Sequence, residues 1–308
     1  MFVFKQREHR VGNMYNRLPL HPFYKIMAQA QQGDDMSFLQ HLEALRWHLV
    51  RGLGAVILLA VVIFLNKSLV FDGIIFAPKR ADFLTFRVLC EFSGVLHNYL
   101  PFMFSTPDVL CIGQDIPKLQ NISMTGQFTS HIMVSLLGGV VLAFPYILWE
   151  VWRFVKPGLH PNERNMARGL IFFASFLFFG GVLFGYFVIS PLSINFLSTY
   201  SVSAEVETIP TLRTYITTVT TVVVACGFLF ELPVLVYFLT KTGLITPAFL
   251  RQYRRHFIVI ALVLSAIITP PDVFSQLLVC FPLAILYEVS ILLSAYIVRK
   301  EKKREETA

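Results

Sequence analysis

Two apolar runs near the carboxyl terminus, residues 257–268 and 277–298, are separated by little more than Thr269-Pro270-Pro271-Asp272. Basic residues close the pair on both sides, Arg254 and Arg255 before it and Arg299 and Lys300 after it. The pattern predicts a hairpin of two membrane spans. Its first arm holds about a dozen apolar residues, some 18 Å at 1.5 Å per helical residue, well short of the roughly 30 Å hydrocarbon core. A span that short must thin the bilayer or sit in a recess of the protein. The string that joins the arms, Thr269-Pro-Pro-Asp-Val-Phe-Ser-Gln276, is the most distinctive in the chain.

Four more apolar stretches precede the hairpin, at about residues 50–71, 128–149, 169–189 and 215–240, which makes six candidate spans. Composition agrees: 55% of residues are hydrophobic and 15% charged, where soluble domains carry roughly 25% charged residues. No A-x-A cleavage pattern follows a short apolar region near the start, so the first span is expected to stay as an anchor.

Short cytoplasmic loops hold an excess of Lys and Arg, and that excess sets orientation. Of the 26 basic residues, 20 fall before span one, after span two, after span four or in the carboxyl-terminal tail, so both termini are expected to be cytoplasmic. The other six, Lys67, Lys79, Arg80, Arg87, Lys118 and Arg213, lie in the remaining gaps, mostly in one long outer loop of about residues 72–127. This asymmetry, with anionic lipid headgroups, accounts for the net charge of +7 and gives no reason to invoke nucleic acid.

Cys90 and Cys111 share the outer loop, while Cys226 and Cys280 lie inside spans. On an oxidising side of the membrane a Cys90–Cys111 disulfide would close about twenty residues, roughly 3 kcal/mol in the chain-entropy model. The alternative is two unpaired thiols. In the same loop Phe83, Phe86, Cys90 and Phe92 are spaced like a short amphipathic helix that could rest on the membrane surface.

Residues 1–35 are polar, basic and without sustained periodicity, and are expected to be disordered. From Met36 onward Phe38, Leu42, Leu45 and Leu49 share one helical face suited to lying on a membrane. Met36 is a candidate start of translation. On that helix Glu43 and Arg46 are three apart and can pair.

Four strings occur in register: His41-Leu42-Glu43-Ala44-Leu45-Arg46; Trp152-Arg153-Phe154-Val155-Lys156-Pro157-Gly158-Leu159 with Glu163-Arg164; Phe230-Glu231-Leu232-Pro233-Val234; and Thr269 through Gln276. Together they resemble the TatC family, the large multispanning subunit of the twin-arginine protein translocase. The likeness runs from about residue 36 to residue 299. It implies an all-α integral membrane protein, six transmembrane helices in a cupped bundle, with a basic tail at residues 300–308. It also implies a bacterial inner (plasma) membrane location.

The resemblance implies a receptor for signal peptides bearing two adjacent arginines. Carboxylates suit that task, because Arg makes charge-assisted, often bidentate, hydrogen bonds to them. Glu163 matches the family's glutamate in the first inner loop, behind the stretch from Phe154 that would shape a binding surface. Its bland alternative is pairing with Arg164 or Arg168. The family's other recognition glutamate falls at position 44, where this chain has Ala44, with Glu43 one residue earlier and turned by about 100°. Either Glu43 serves in its place or the site relies more on Glu163; Arg46 matches the family arginine and would orient Glu43.

Glu231 is the acid set well inside a long apolar span, where a charge costs about 2.5–3.5 kcal/mol on translocon scales. It should face a polar cavity or a partner, be protonated, or be satisfied by a neighbouring helix, for example by a threonine of residues 217–221. Pro233 removes a helix hydrogen bond and can kink the span. The family's glutamate here engages small single-span TatA/TatB-type partner subunits. Asp272 and Gln276 cap the outer turn, a helix start that local structure explains and that the family places near a partner-contact edge. Glu288 looks like a second family position, with a structural role at least as fitting.

The reading is therefore a receptor and core subunit that exports folded cargo using the proton-motive force, contacts membrane lipid, and forms homo-oligomers within its complex. It is not an enzyme and needs no cofactor or metal: neither a G-x-x-x-x-G-K-[ST] loop nor an H-E-x-x-H string is present. A secondary transporter is the alternative, but Pro145, Pro233 and Pro282 do not correspond between three-span halves. An intramembrane hydrolase fits less well, because His131 and His256 fall near span ends on opposite sides.

Overall fold

The computed structural model describes residues 38–99, 111–113, 116–155, 167–203, 205, 208–269 and 273–307. Among them the backbone is almost wholly helical, with a single isolated bridge between Gln120 and Thr211. The solvent is the reason: in hydrocarbon every backbone N–H and C=O must be satisfied within the segment. Two compact units meet between Trp47 and His48. The first contributes only residues 38–47, the opening turns of helix α1, Phe38–Leu65. On those turns Leu42 and Leu45 are exposed, as lipid-facing apolar residues are.

Everything else belongs to the second unit. After α1 come a π-helical turn at Leu69–Ile75 and a short 3-10 turn at Ala77–Lys79. Helix α2, Leu84–Tyr99, occupies the long loop, and α3 is Gly126–Val155. Helix α4, Ala167–Phe184, runs through a second π-helical turn at Gly185–Ile189 into α5, Ser190–Thr199. Helices α6, Leu212–Leu229, and α7, Leu232–Lys241, are two halves of one span. Helix α8, Pro247–Gln252, leads into the hairpin arms α9, Arg254–Ile268, and α10, Val273–Thr307.

Five of these segments are long and apolar enough to cross a membrane: Leu42–Leu65, Gly126–Val155, Gly169–Thr199, Leu212–Lys241 and Ser275–Lys303. Helix α9 is the sixth candidate. Its 15 residues span about 22 Å, which leaves it short of the hydrocarbon thickness. Gln276 on α10 reaches back to it, its side-chain amide donating to the Leu262 carbonyl at 3.0 Å. Residues 300–307 continue α10 as helix, and there Lys241 meets Glu301 at 2.8 Å.

Glycine sets the closest helix approaches. A Cβ on Gly139 of α3 would stand 2.7 Å from the Val56 carbonyl oxygen and 2.9 Å from the Ala60 nitrogen of α1. On α6, a Cβ on Gly227 would stand 2.8 Å from the Phe178 ring of α4. Small residues let backbones pack where lipid supplies no hydrophobic drive between helices. The ring pairs Phe144–Phe228 (6.0 Å) and Trp152–Phe238 (5.5 Å) step forward together, so α3 runs parallel to the α6–α7 span.

In the long loop Cys90 and Cys111 are joined as a disulfide 21 residues apart in sequence. Helix α2 is present and exposes Leu84, Val88, Phe92 and Val95, whereas the other aromatics of the expected face turn inward. Phe83 and Phe86 are buried, Phe83 lying 5.6 Å from Phe187 and 5.7 Å from Tyr186 of the π-helical turn after α4. Beyond the disulfide Gly113, at φ +86°, passes so close over the Phe86 ring that a Cβ would sit 2.6 Å from it. Its backbone N–H donates to Asn195 at 3.0 Å.

Candidate functional site

Glu163 and Arg164, the residues given the recognition role, and Asp272 of the outer turn lie outside the described residues. Glu43 and Arg46 are both exposed on α1, and the ion pair that their spacing allows is not formed. Phe154 stands at the last turn of α3, edge-on to His48 of α1 with ring centroids 6.2 Å apart.

That contact leads to a carboxylate the sequence reading passed over. Glu150 of α3 is 2% exposed. His48 Nδ1 is hydrogen-bonded to its Oε2. The Tyr146 hydroxyl, one turn earlier, donates to its Oε1 at 2.9 Å. Arg153, one turn later, approaches the same oxygen at 3.6 Å and lies over the Trp149 ring, 4.9 Å from its centroid. A buried carboxylate persists only when its lone pairs are engaged in this way. The cluster ties α1 to the end of α3 immediately before residues 156–166, the segment that carries Glu163. Two signals were in the sequence: an acid directly at the end of an apolar run, and Tyr and Arg at the i−4 and i+3 positions. The histidine, 102 residues away, gave none.

Glu231 sits where the fourth span breaks. Helix α6 ends at Leu229, Phe230 and Glu231 form a turn, and Pro233 occupies the first turn of α7. Proline suits that place because its missing N–H would have no helical acceptor. The Glu231 carbonyl accepts from Val234 and Leu235, each at 3.0 Å, which starts the second half. Its carboxyl oxygen Oε1 is buried and accepts no hydrogen bond among the described residues. Of the threonines at residues 217–221 offered as one alternative, none bonds this oxygen, and the Thr220 hydroxyl donates back to Ile216 at 2.7 Å. Glu288, on α10, is half-exposed and pairs with Arg254 at 2.7 Å. Among the described residues no hydrogen bond or ion pair joins Glu231 to Gln276, and no cluster of three potential metal ligands occurs.

A family model described as "Sec-independent protein translocase protein (TatC)" matches residues 40–282. The chain is 38% identical over 271 residues to the Sec-independent protein translocase protein TatC of Blattabacterium sp. subsp. Periplaneta americana, covering 88% of this chain and 99% of that one. It is 36% identical over 210 residues to the protein of that name from Halalkalibacterium halodurans, covering 67% of this chain and 83% of that one. A solved structure described as "Crystal Structure of Twin Arginine Translocase Receptor- TatC in DDM" superposes with a TM-score of 0.63 at 32% identity, covering 82% of this chain and 99% of that one.

Proposed function

The chain belongs to the TatC family of Sec-independent protein translocase proteins, and from that premise we propose that it is the signal-peptide receptor of its complex. As a family member it is a multi-pass membrane subunit of the twin-arginine protein translocase and a transport component, not an enzyme. The finer reading puts both termini in the cytoplasm and the chain in an inner membrane, where it captures peptides bearing adjacent arginines. Export of folded cargo then draws on the proton-motive force.

The observation that carries this reading is the buried Glu150 cluster. It fixes the end of α3, with Phe154 against His48, at the point where the chain enters the Glu163 segment. Glu150 is already engaged by His48, Tyr146 and Arg153, so its role is to anchor the end of α3 and not to hold a guanidinium itself. Glu163 supplies the carboxylate that holds a guanidinium, Arg164 is its neighbouring base, and Glu43 with Arg46 supplies further charge on α1. Recruitment of TatA/TatB-type subunits falls to Glu231, whose Oε1 is left for an outside donor at a break built by Pro233.

The test uses the purified full chain and a fluorescent twin-arginine peptide, with a twin-lysine peptide as competitor. Lysine is a point charge and cannot reproduce the planar fork of a guanidinium. Preference for arginine that disappears in Glu163→Ala supports the assignment; equal binding of both peptides refutes it.

A further inference from the structure

At the opposite end of the bundle from Glu150, where α1 finishes and α3 begins, the structure holds a cavity of about 820 Å³. Its lining carries four cations, Lys67, Lys79, Arg80 and Lys118, against one acid, Asp72. Arg80 is fixed in place, donating to the Asp72 backbone carbonyl at 2.6 Å. Among the described residues no carboxylate lies within ion-pairing distance of any of the four. Burial, and after it the charge of Lys118, holds the Lys79 ammonium below the usual lysine range. Like charges gathered in a concavity with a single acid to offset them repel one another, and they focus a positive potential into it.

The same cavity contains a second unpaired group. His131 of α3 is stacked on Phe64 at 4.0 Å and meets Phe71 edge-on at 5.4 Å. Its Nε2 is buried and has no hydrogen-bond partner among the described residues. A buried ring nitrogen left in that state costs free energy unless something in the cavity bonds it. Phe128 in the lining is exposed, and the membrane-crossing helices α1 and α3 end beside the cavity. Cations gathered at the ends of two spans match a phospholipid, with its phosphate among the lysines and its chains along the helices.

We propose that this cavity is a binding site for a phosphate-class anion, held by Lys67, Lys79, Arg80 and Lys118 with His131 at its base, and presented to it by a phospholipid headgroup. The site is independent of signal-peptide capture, since it lies at the other end of α1 and α3 and shares no residue with the receptor assignment. Ordinary positive flanking of a span would need neither the cavity nor the buried nitrogen.

The test takes the full chain in neutral detergent and in nanodiscs of phosphatidylcholine alone or mixed with phosphatidylglycerol. Bound lipid is read by native mass spectrometry, and thermal midpoints are compared in sodium phosphate and sodium chloride at equal ionic strength. Retained phosphatidylglycerol, with a raised midpoint in its presence, supports the headgroup; a midpoint raised by inorganic phosphate alone supports the anion site with a soluble source. In Lys79→Gln/Lys118→Gln, anion affinity should fall about fivefold per lysine removed. The charge-preserving Lys79→Arg/Lys118→Arg pair should retain binding, and Arg251→Gln/Lys300→Gln, which removes two exposed cations elsewhere, should leave it unchanged. Circular dichroism confirms that each variant folds. If neither lipid nor phosphate discriminates the folded glutamine pair from the unmodified chain, the proposal is overturned, and an acidic polypeptide becomes the candidate for these cations.

Discussion

Replacing His48 and Glu150 by alanine, singly and together, measures how strongly the end of α3 is tied to α1. Their side chains are 17% and 3% exposed, so the hydrogen bond between them is nearly free of solvent competition. A hydrogen bond to a charged group in such a place contributes about 1.5–3 kcal/mol. His48→Ala leaves Glu150 with Tyr146 and the longer Arg153 contact, so it should cost about that much. Glu150→Ala strands the partly buried His48 ring and empties the buried centre of the cluster, and should cost roughly 3–5 kcal/mol. Once Glu150 is gone, removing His48 should add little, which gives a coupling energy of about 1.5–3 kcal/mol. Equilibrium unfolding in mixed micelles, with circular dichroism as readout, supplies all four corners of the cycle. A coupling below about 0.5 kcal/mol, the usual scatter of additivity for independent sites, would refute the cluster as the anchor.

Gly139→Val should destabilise the chain by about 3 kcal/mol, the upper range for overpacking, because the atoms it meets on α1 are Val56 and Ala60 backbone that cannot rotate away; a micelle unfolding curve with an unchanged midpoint would contradict this. Cys90→Ser/Cys111→Ser should lower stability by roughly 3 kcal/mol, and in the unmodified chain a thiol-alkylating reagent should label Cys90 and Cys111 only after reduction. Glu231→Ala should leave peptide capture intact and reduce co-purification of single-span partners; undiminished export would remove Glu231 from that role.

Five of the spans were legible because hydrocarbon demands long apolar runs, but their ends were not: the first runs Leu42–Leu65 where residues 50–71 were expected, and the third continues to Thr199. The shortness of α9 was legible too, as a simple count between Arg255 and Thr269. A kink at Pro233 was expected, and the structure makes it a break with Pro233 in the first turn of α7, whereas Pro145 and Pro282 sit inside continuous helices. The surroundings of α2 were not legible. Phe83 and Phe86 mark an apolar face whether the apolar neighbour is lipid or Tyr186 and Phe187, and periodicity cannot tell these apart. Glu150 was missed for a related reason. The apolar run stops at Trp149, but the helix continues to Val155, which keeps the acid inside the bundle end where His48 can reach it. Local spacing contained Tyr146 and Arg153, whereas the partner from α1 is supplied by the fold alone.

Site-specific photocrosslinking in native membranes, with a probe placed in turn at positions 43, 44, 46 and 163 and a labelled signal peptide as target, tests the receptor reading most directly. Strong adducts at position 163 that vanish when the peptide's paired arginines become lysines are the predicted result. Adducts at position 163 that are absent, or indifferent to the arginines, would contradict it.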